Sequence, residues 1–556
     1  MSASHAPQEV SDAPRACPDD YLRREMKQKI LVKYPLWISL IIFCLLTLAL
    51  LSTSFMRTHG HIGYPLDDTY IHMAIGKHFV NDGFWGISAN GFSSSTSSPL
   101  WTLLIALTYR LLGVNDWTPV ALGLISGSLA IIICYHLLRK NTNNALRLTI
   151  FLALIILFTP LPILALTGME HGLHGFLTVW LVYHAATLLT KSESNSRPFA
   201  LLLILSGLLT MTRYEGLFLV FSIALLLITR KRFFAAFWTV AAGLLPVMVY
   251  GFYSLARGWY FLPNSIFLKG NVPVFTLEGM SHFFLSVSSK LNVTPHILVL
   301  VIACLGIYLW CDHQGVSGEK ERSLITLFVL MTLLHLQFAY IGEFYRYEAY
   351  LVLTGSLILV DMVISLISVR SAKNGNIFNF GVVFVLGIFV IMPLAFRTGR
   401  AFREYPIAIT NIYEQQYQMG LFLQKYYSGK AIAANDMGAI NYLADIKTLD
   451  LFGIGSMDVA QAKRNGLYDK DVIGELVSRH HIEIVMIYTD WFEENLPPEW
   501  IEIGTWQIAD KVVTGGDTVS FYAPGASWEE DVTAHLKDFS DQLPSTVNQS
   551  GRYIAP

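Results

Sequence analysis

The segment from Pro35 to Phe55 carries no charged residue, and wound as a helix it is long enough for the roughly 30 Å hydrocarbon core of a bilayer. A chain that holds such a run must satisfy its backbone hydrogen bonds inside lipid, which leaves a helix as the local solution. The run follows Arg23, Arg24, Lys27, Lys29 and Lys33, so the positive-inside bias keeps the preceding tail, residues 1–34, in the cytoplasm. It lies too far from the start, with no small-residue cleavage site after it, to read as a signal peptide, so an uncleaved anchor is expected. Over the whole chain 53% of residues are hydrophobic and 14% charged, which excludes an ordinary soluble enzyme and predicts an α-helical polytopic membrane protein.

Further apolar runs occur near 117–138, 147–166, 173–190, 198–212, 214–229, 233–254, 294–311, 323–341, 347–368 and 377–395, giving about eleven spans with the first. The shorter run Pro99 to Gly113 is read as a helix lying in the interface. With that assignment Arg139, Lys140, Arg147, Lys191, Arg197, Arg230, Lys231, Arg232, Lys320, Arg322, Arg370 and Lys373 all fall on the cytoplasmic side, whereas a twelfth span would put most of them outside. The membrane domain then covers 35–396, and 397–556 lies outside the cytoplasm. In that last region Tyr405 to Tyr427 and Val472 to His480 have helical spacing, while Ala431–Ala434 and Ile482–Tyr488 read as buried strands. The alternation predicts a small α/β domain with a parallel core. The first and last twenty or so residues are polar enough to be expected disordered. The cysteines show neither a disulfide framework nor metal spacing.

On this topology ionisable groups collect at one face. They sit in the loop 56–116 with adjacent Asp67 and Asp68, in the turns 167–172 and 212–216, in the loop 256–293, and in the turn 342–348. Arg and Tyr at that depth also serve as interfacial anchors, but their convergence predicts a cavity where carboxylates meet guanidinium groups. Such a cavity suits a phosphate-linked substrate and an activated hydroxyl. His59, His61, His72 and His78 match no standard ligand spacing, so no metal is predicted and a divalent cation is left open. No nucleotide loop follows a strand, so no soluble nucleotide is expected; no nucleic acid is expected as partner either. The serine-rich run 93–98 is read as a cap for the helix that follows it.

Asp67-Asp68-Thr69-Tyr70-Ile71-His72, then Gly83-Phe84-Trp85-Gly86, Ser93 to Pro99 and Leu100-Trp101-Thr102-Leu103-Leu104 resemble the first extracytoplasmic loop of bacterial GT-C glycosyltransferases. The likeness is nearest to the mycobacterial terminal arabinofuranosyltransferases and more distant to protein O-mannosyltransferases and lipid A aminoarabinose transferases. Gly168-Met169-Glu170, Arg213-Tyr214-Glu215-Gly216, Leu262 to Lys269, Arg346-Tyr347, Asp436 to Ile440 and Asp450-Leu451-Phe452-Gly453 continue it along the chain. The resemblance implies a bacterial cytoplasmic (inner) membrane enzyme. It would move a sugar, a pentofuranose such as arabinose favoured, from a polyprenyl-phosphate carrier to a cell-envelope glycan, lipid or protein, with inversion. It further implies Asp67 or Asp68 as general base and Arg213, Lys269 and Arg346 as ligands of the donor phosphate. Tyr70, His72, Glu170, His171, Glu215, Asn264 and Tyr347 would bind acceptor or sugar. The rival readings are a flippase for a lipid-linked sugar, which would call for internal repeats and mid-membrane charges, and an inactive scaffold of the same fold.

Overall fold

The structure is a computed structural model that describes residues 18–142, 144–190, 196–269, 276–371 and 378–554. Every apolar run read from the sequence is helical: Pro18–Arg57, Thr118–Leu138, Ala145–Phe158 with Leu161–Leu166, His171–Leu189, Ser196–Thr212, Gly216–Thr229, Phe233–Leu255, Pro295–His313, Glu319–Phe338, Ala349–Ser371 and Phe378–Ile412. Among the described residues, seven helices are long and apolar enough to cross a bilayer; Ala145–Phe158, Ser196–Thr212 and Gly216–Thr229 are apolar but shorter. The run 147–166 breaks at Thr159-Pro160, where the proline ring cannot donate to the preceding turn. Apolar side chains such as Leu45, Phe237, Val249 and Leu309 point outward and are exposed, the pattern of a bundle whose solvent is lipid.

The helix Pro99–Leu112 lies against the bundle. It buries Trp101, Thr102, Ile105 and Tyr109 while Leu107, Leu111 and Leu112 stay exposed, as an interfacial helix requires. Ser98 caps it, its hydroxyl accepting from the Trp101 amide at 3.4 Å, and Pro99 occupies the first turn, where a missing N–H costs nothing.

Beyond the membrane domain the helix Phe378–Ile412 continues through a π-helical turn, Tyr413–Tyr417, into Gln418–Tyr426. It leads into a sheet of β1 (Ala431–Ala434), β2 (Lys447–Asp450), β3 (Ile484–Ile487), β4 (Ile501–Gln507), β5 (Thr518–Ala523) and β6 (Asn548–Gly551), ordered β2-β1-β3-β5-β4-β6. The expected parallel core holds for β2-β1-β3 only; β5, β4 and β6 pair antiparallel, so the sheet is mixed. Phe422, Trp506, Phe521, Leu536 and Phe539 fill one face of the sheet and Ile473, Leu476, Val485 and Ile487 the other. The expectation of a disordered C-terminus is corrected for the residues up to 554. β6 adds to the edge through backbone bonds to β4, which polar side chains do not oppose, and Tyr553 is buried against Gly504. Of the expected N-terminal disorder, residues 1–17 lie outside the described residues.

The sheet domain does not stand apart. Tyr64, Tyr70 and Trp101 of the first loop share one apolar core with Tyr405 and Ile412 of the long helix and with Met437, Ala439 and Tyr442 of the terminal domain.

Candidate functional site

The helix Asp67–Asn81 begins at the two adjacent acids, which sit where the helix dipole favours negative charge. Consecutive helical residues point about 100° apart, and the two carboxylates accordingly meet different neighbours. Asp67 accepts the backbone N–H groups of Gly438 at 2.7 Å and Ala439 at 2.8 Å, so it pins the terminal domain to the first loop. Asp68 pairs with Arg346, Nη2 to Oδ2 at 2.7 Å.

Arg346 is held by its own turn. Glu343, Phe344 and Tyr345 have φ of 44°, 60° and 65°, a left-handed run costing about 1–2 kcal/mol per residue. Arg397 binds the Tyr345 carbonyl at 2.7 Å and the Glu348 carboxylate at 2.9 Å, and Glu348 accepts the Gly342 amide at 2.9 Å. These bonds fix the turn so that the Arg346 guanidinium reaches Asp68, touches Met169 Sδ at 2.9 Å and lies over the Tyr347 ring.

Arg213 also lies over the Tyr347 ring. Its Nη1 donates to Glu170 at 2.5 Å, and its Nε and Nη2 grip Glu215 at 3.2 and 2.6 Å. Burial raises the Glu215 carboxyl, but the Arg213 charge outweighs it and lowers the group to about 2. Glu170 is fully buried and also faces His72 Nε2 at 3.7 Å and His171 Nε2 at 3.9 Å. Burial lowers the His72 pKa against the pull of Glu170 and Asp68, which favours a neutral ring at neutral pH; its Nδ1 is 2.7 Å from the Thr102 hydroxyl.

Two cavities meet at Asp68. One, of about 660 Å³, is walled by apolar groups such as Phe218, Val247, Leu334 and Phe338 and reaches His72, Arg213, Glu215 and Tyr347. The other, of about 650 Å³, is polar and reaches Asp67, Glu343, Arg346, Arg400, Asp436 and Lys511. Asp68 lines both.

The remaining residues singled out in the sequence are distributed as follows. Tyr70 is buried with Tyr64 and Tyr442, its hydroxyl accepting the Tyr64 amide at 3.3 Å, and lines neither cavity. His171 packs edge-on against Tyr347. Asn264 donates to the Gly453 carbonyl at 2.9 Å, tying the loop after Phe233–Leu255 to the terminal domain. The Lys269 side chain lies outside the described residues. Of the first-loop histidines, His61 stacks on Tyr413 and His78 on Phe84. Among the described residues no group of three His, Cys, Asp or Glu side chains is arranged to hold a metal.

Asp436 was not singled out as a site residue from the sequence, although its motif was. Its Oδ2 accepts from Gln416 at 2.8 Å and from the Tyr488 hydroxyl at 2.7 Å, and it lines the polar cavity beside Asp67. Burial, and then the charge of Asp436, push the Asp67 carboxyl up to about 7 despite its two amide bonds. A carboxyl raised on folding adds stability that is complete below the ordinary carboxylate range and is lost as pH rises through the folded value. The unfolding midpoint should therefore fall between about pH 4 and about pH 7, and Asp436→Asn should flatten that slope; a wild-type midpoint rising over the window would contradict this.

Gly438 leaves no room at the same junction: a Cβ there would lie 2.7 Å from the Asp67 carboxyl carbon. Gly438→Ala is expected to cost about 1–3 kcal/mol, read by thermal unfolding, with faster hydrogen exchange at Ala439.

The helical bundle with an appended domain holding a small mixed sheet has the architecture of the GT-C membrane fold. Residues 96–252 match the family model described as dolichyl-phosphate-mannose-protein mannosyltransferase, and residues 410–522 match a domain of unknown function, DUF8728. No curated protein matches the chain. Among solved structures, ArnT from Cupriavidus metallidurans bound to undecaprenyl phosphate is similar at 13% identity, over 88% of this chain and 98% of that one, with a TM-score of 0.52. The Archaeoglobus fulgidus oligosaccharyltransferase is similar at 12% identity, over 92% of this chain and 74% of that one, with a TM-score of 0.49. At such identities the likeness to ArnT is one of fold.

Proposed function

We propose that this protein transfers a sugar from a polyprenyl-phosphate carrier to an acceptor hydroxyl, with Asp68 as general base. The observation that carries this reading is the position of Asp68 on the wall shared by an apolar and a polar cavity, paired with a buried arginine. The apolar cavity suits the isoprenoid and the polar one a hydroxyl-rich acceptor. The undecaprenyl phosphate in the ArnT structure supports a carrier of that class here.

Asp68 takes the proton as the acceptor oxygen bonds to the anomeric carbon, and the bond from that carbon to the phosphate oxygen breaks with its electron pair, leaving the carrier as its phosphate. An in-line path inverts the anomeric centre. The departing phosphate needs positive charge where negative charge develops. Arg346 supplies it by exchanging Asp68 for the phosphate, which also releases the base. Arg213, its fork taken by Glu170 and Glu215, contributes field and orients Tyr347 instead of moving. Asp67 is a positioning residue that docks the terminal domain over the acceptor cavity. The first-loop resemblance favours a pentofuranose such as arabinose, a cell-envelope acceptor, and an inner-membrane setting with the terminal domain outside.

The test incubates purified protein with labelled polyprenyl-phosphate pentoses and hexoses and an envelope fraction. Label in the acceptor with release of polyprenyl phosphate supports the reading. Saturable lipid binding without transfer from any donor would move the protein to the flippase or scaffold class.

A further inference from the structure

A third cavity, of about 320 Å³, opens near the other end of the helical bundle, between Thr118–Leu138, His171–Leu189 and the start of Glu319–Phe338. His171 marks the Asp68 end of its helix. Tyr183 and Thr187, which line the third cavity, lie about 18–24 Å further along it at 1.5 Å per residue. The direction of Glu319–Phe338 agrees, since Phe338 lines the apolar cavity and Lys320 this one.

The lining divides by chemistry. Ile133, Leu137 and Trp180 form an apolar wall; Lys140, Lys320, His136 and His184 bring nitrogen, and no carboxylate is among the lining residues. Asp361 lies behind, buried, its carboxylate taken by Asn141 Nδ2 at 2.6 Å and the Tyr183 hydroxyl at 3.3 Å. It opposes an anion, but Arg139, Lys140, Arg230, Arg232, Lys320 and Arg322 at this end outnumber Asp312, Glu319, Glu321 and Asp361. Lys320 is about one-third exposed, and its nearest carboxylate partner, Glu321, is 4.0 Å away.

We infer that this cavity binds the phosphate headgroup of an anionic phospholipid, with the first part of an acyl chain against Trp180. A free phosphate would gain from the lysines but nothing from the apolar wall, whereas a lipid uses both. The site is independent of the transfer chemistry.

The test uses the full chain in detergent and native mass spectrometry with short-chain phosphatidylglycerol, phosphatidylcholine and inorganic phosphate as probes. Wild type should retain phosphatidylglycerol in preference to phosphatidylcholine. The double variant Lys140→Gln/Lys320→Gln should bind it about 30-fold more weakly, each lysine near a membrane surface contributing about fivefold. Lys140→Arg/Lys320→Arg should restore it, which a merely unfolded variant would not allow. Equal retention of phosphatidylcholine, or an unchanged double variant, overturns the proposal. Competition by inorganic phosphate at concentrations equal to the lipid's would overturn the lipid as occupant in favour of a soluble anion.

Discussion

Asp68→Asn should lower transfer by about 100- to 10,000-fold, the range supplied by a positioned general base, while the protein still binds its lipid donor. The amide keeps the shape of the side chain but cannot take the acceptor proton, and it no longer neutralises Arg346. Donor affinity should hold or tighten, since Arg346 is then available to the phosphate from the start. Asp67→Asn is the contrasting variant. It presents an amide where the carboxylate received Gly438 and Ala439, and should cost about 1–3 kcal/mol of stability with a smaller loss of rate. A pair of variants with the reverse ranking, Asp67 essential and Asp68 dispensable, would exchange the roles assigned to them.

Arg213→Met should be the most destabilising change at the site. It leaves Glu170 and Glu215 buried together without the cation that holds both, and breaking a buried pair from one side typically costs about 3–5 kcal/mol. Arg213→Met combined with Glu170→Gln removes one of the stranded charges and should recover a large part of that loss. Thermal unfolding of the purified protein in detergent, by intrinsic tryptophan fluorescence, reads both. An unchanged midpoint in the single variant would show that the carboxylates do not depend on Arg213.

The helices were legible because lipid leaves little choice: an uncharged apolar run in a membrane must close its backbone bonds within itself. The expected helix Pro99–Leu112 forms, and its Ser98 cap was legible from the place of the serine run just before Pro99. That the charged turns converge was also legible, and Asp68, Glu170, Arg213, Glu215 and Arg346 do meet. Which acid faces the cavities was not. One step along a helix sends Asp67 and Asp68 to different partners, 371 and 278 residues away in sequence, and nothing local distinguishes them. Asp436 escaped for the same reason, being an unremarkable loop acid until the terminal domain docks. Tyr70 sits in the motif yet serves the core, since a buried ring with its hydroxyl bonded nearby looks like a site residue on paper. β4 and β5 are interior strands whose antiparallel pairing only the folded sheet shows, and the edge strand β6 is held by backbone bonds that leave little trace in composition.

The most direct measurement is a cryo-electron microscopy structure of the protein in nanodiscs with a polyprenyl-phosphate sugar bound to the Asp68→Asn variant. The isoprenoid should lie against Phe218, Leu334 and Phe338, the phosphate on Arg346, and the anomeric carbon should face the polar cavity across residue 68. A lipid seated elsewhere, with Arg346 still turned toward residue 68 and no phosphate beside it, would contradict this.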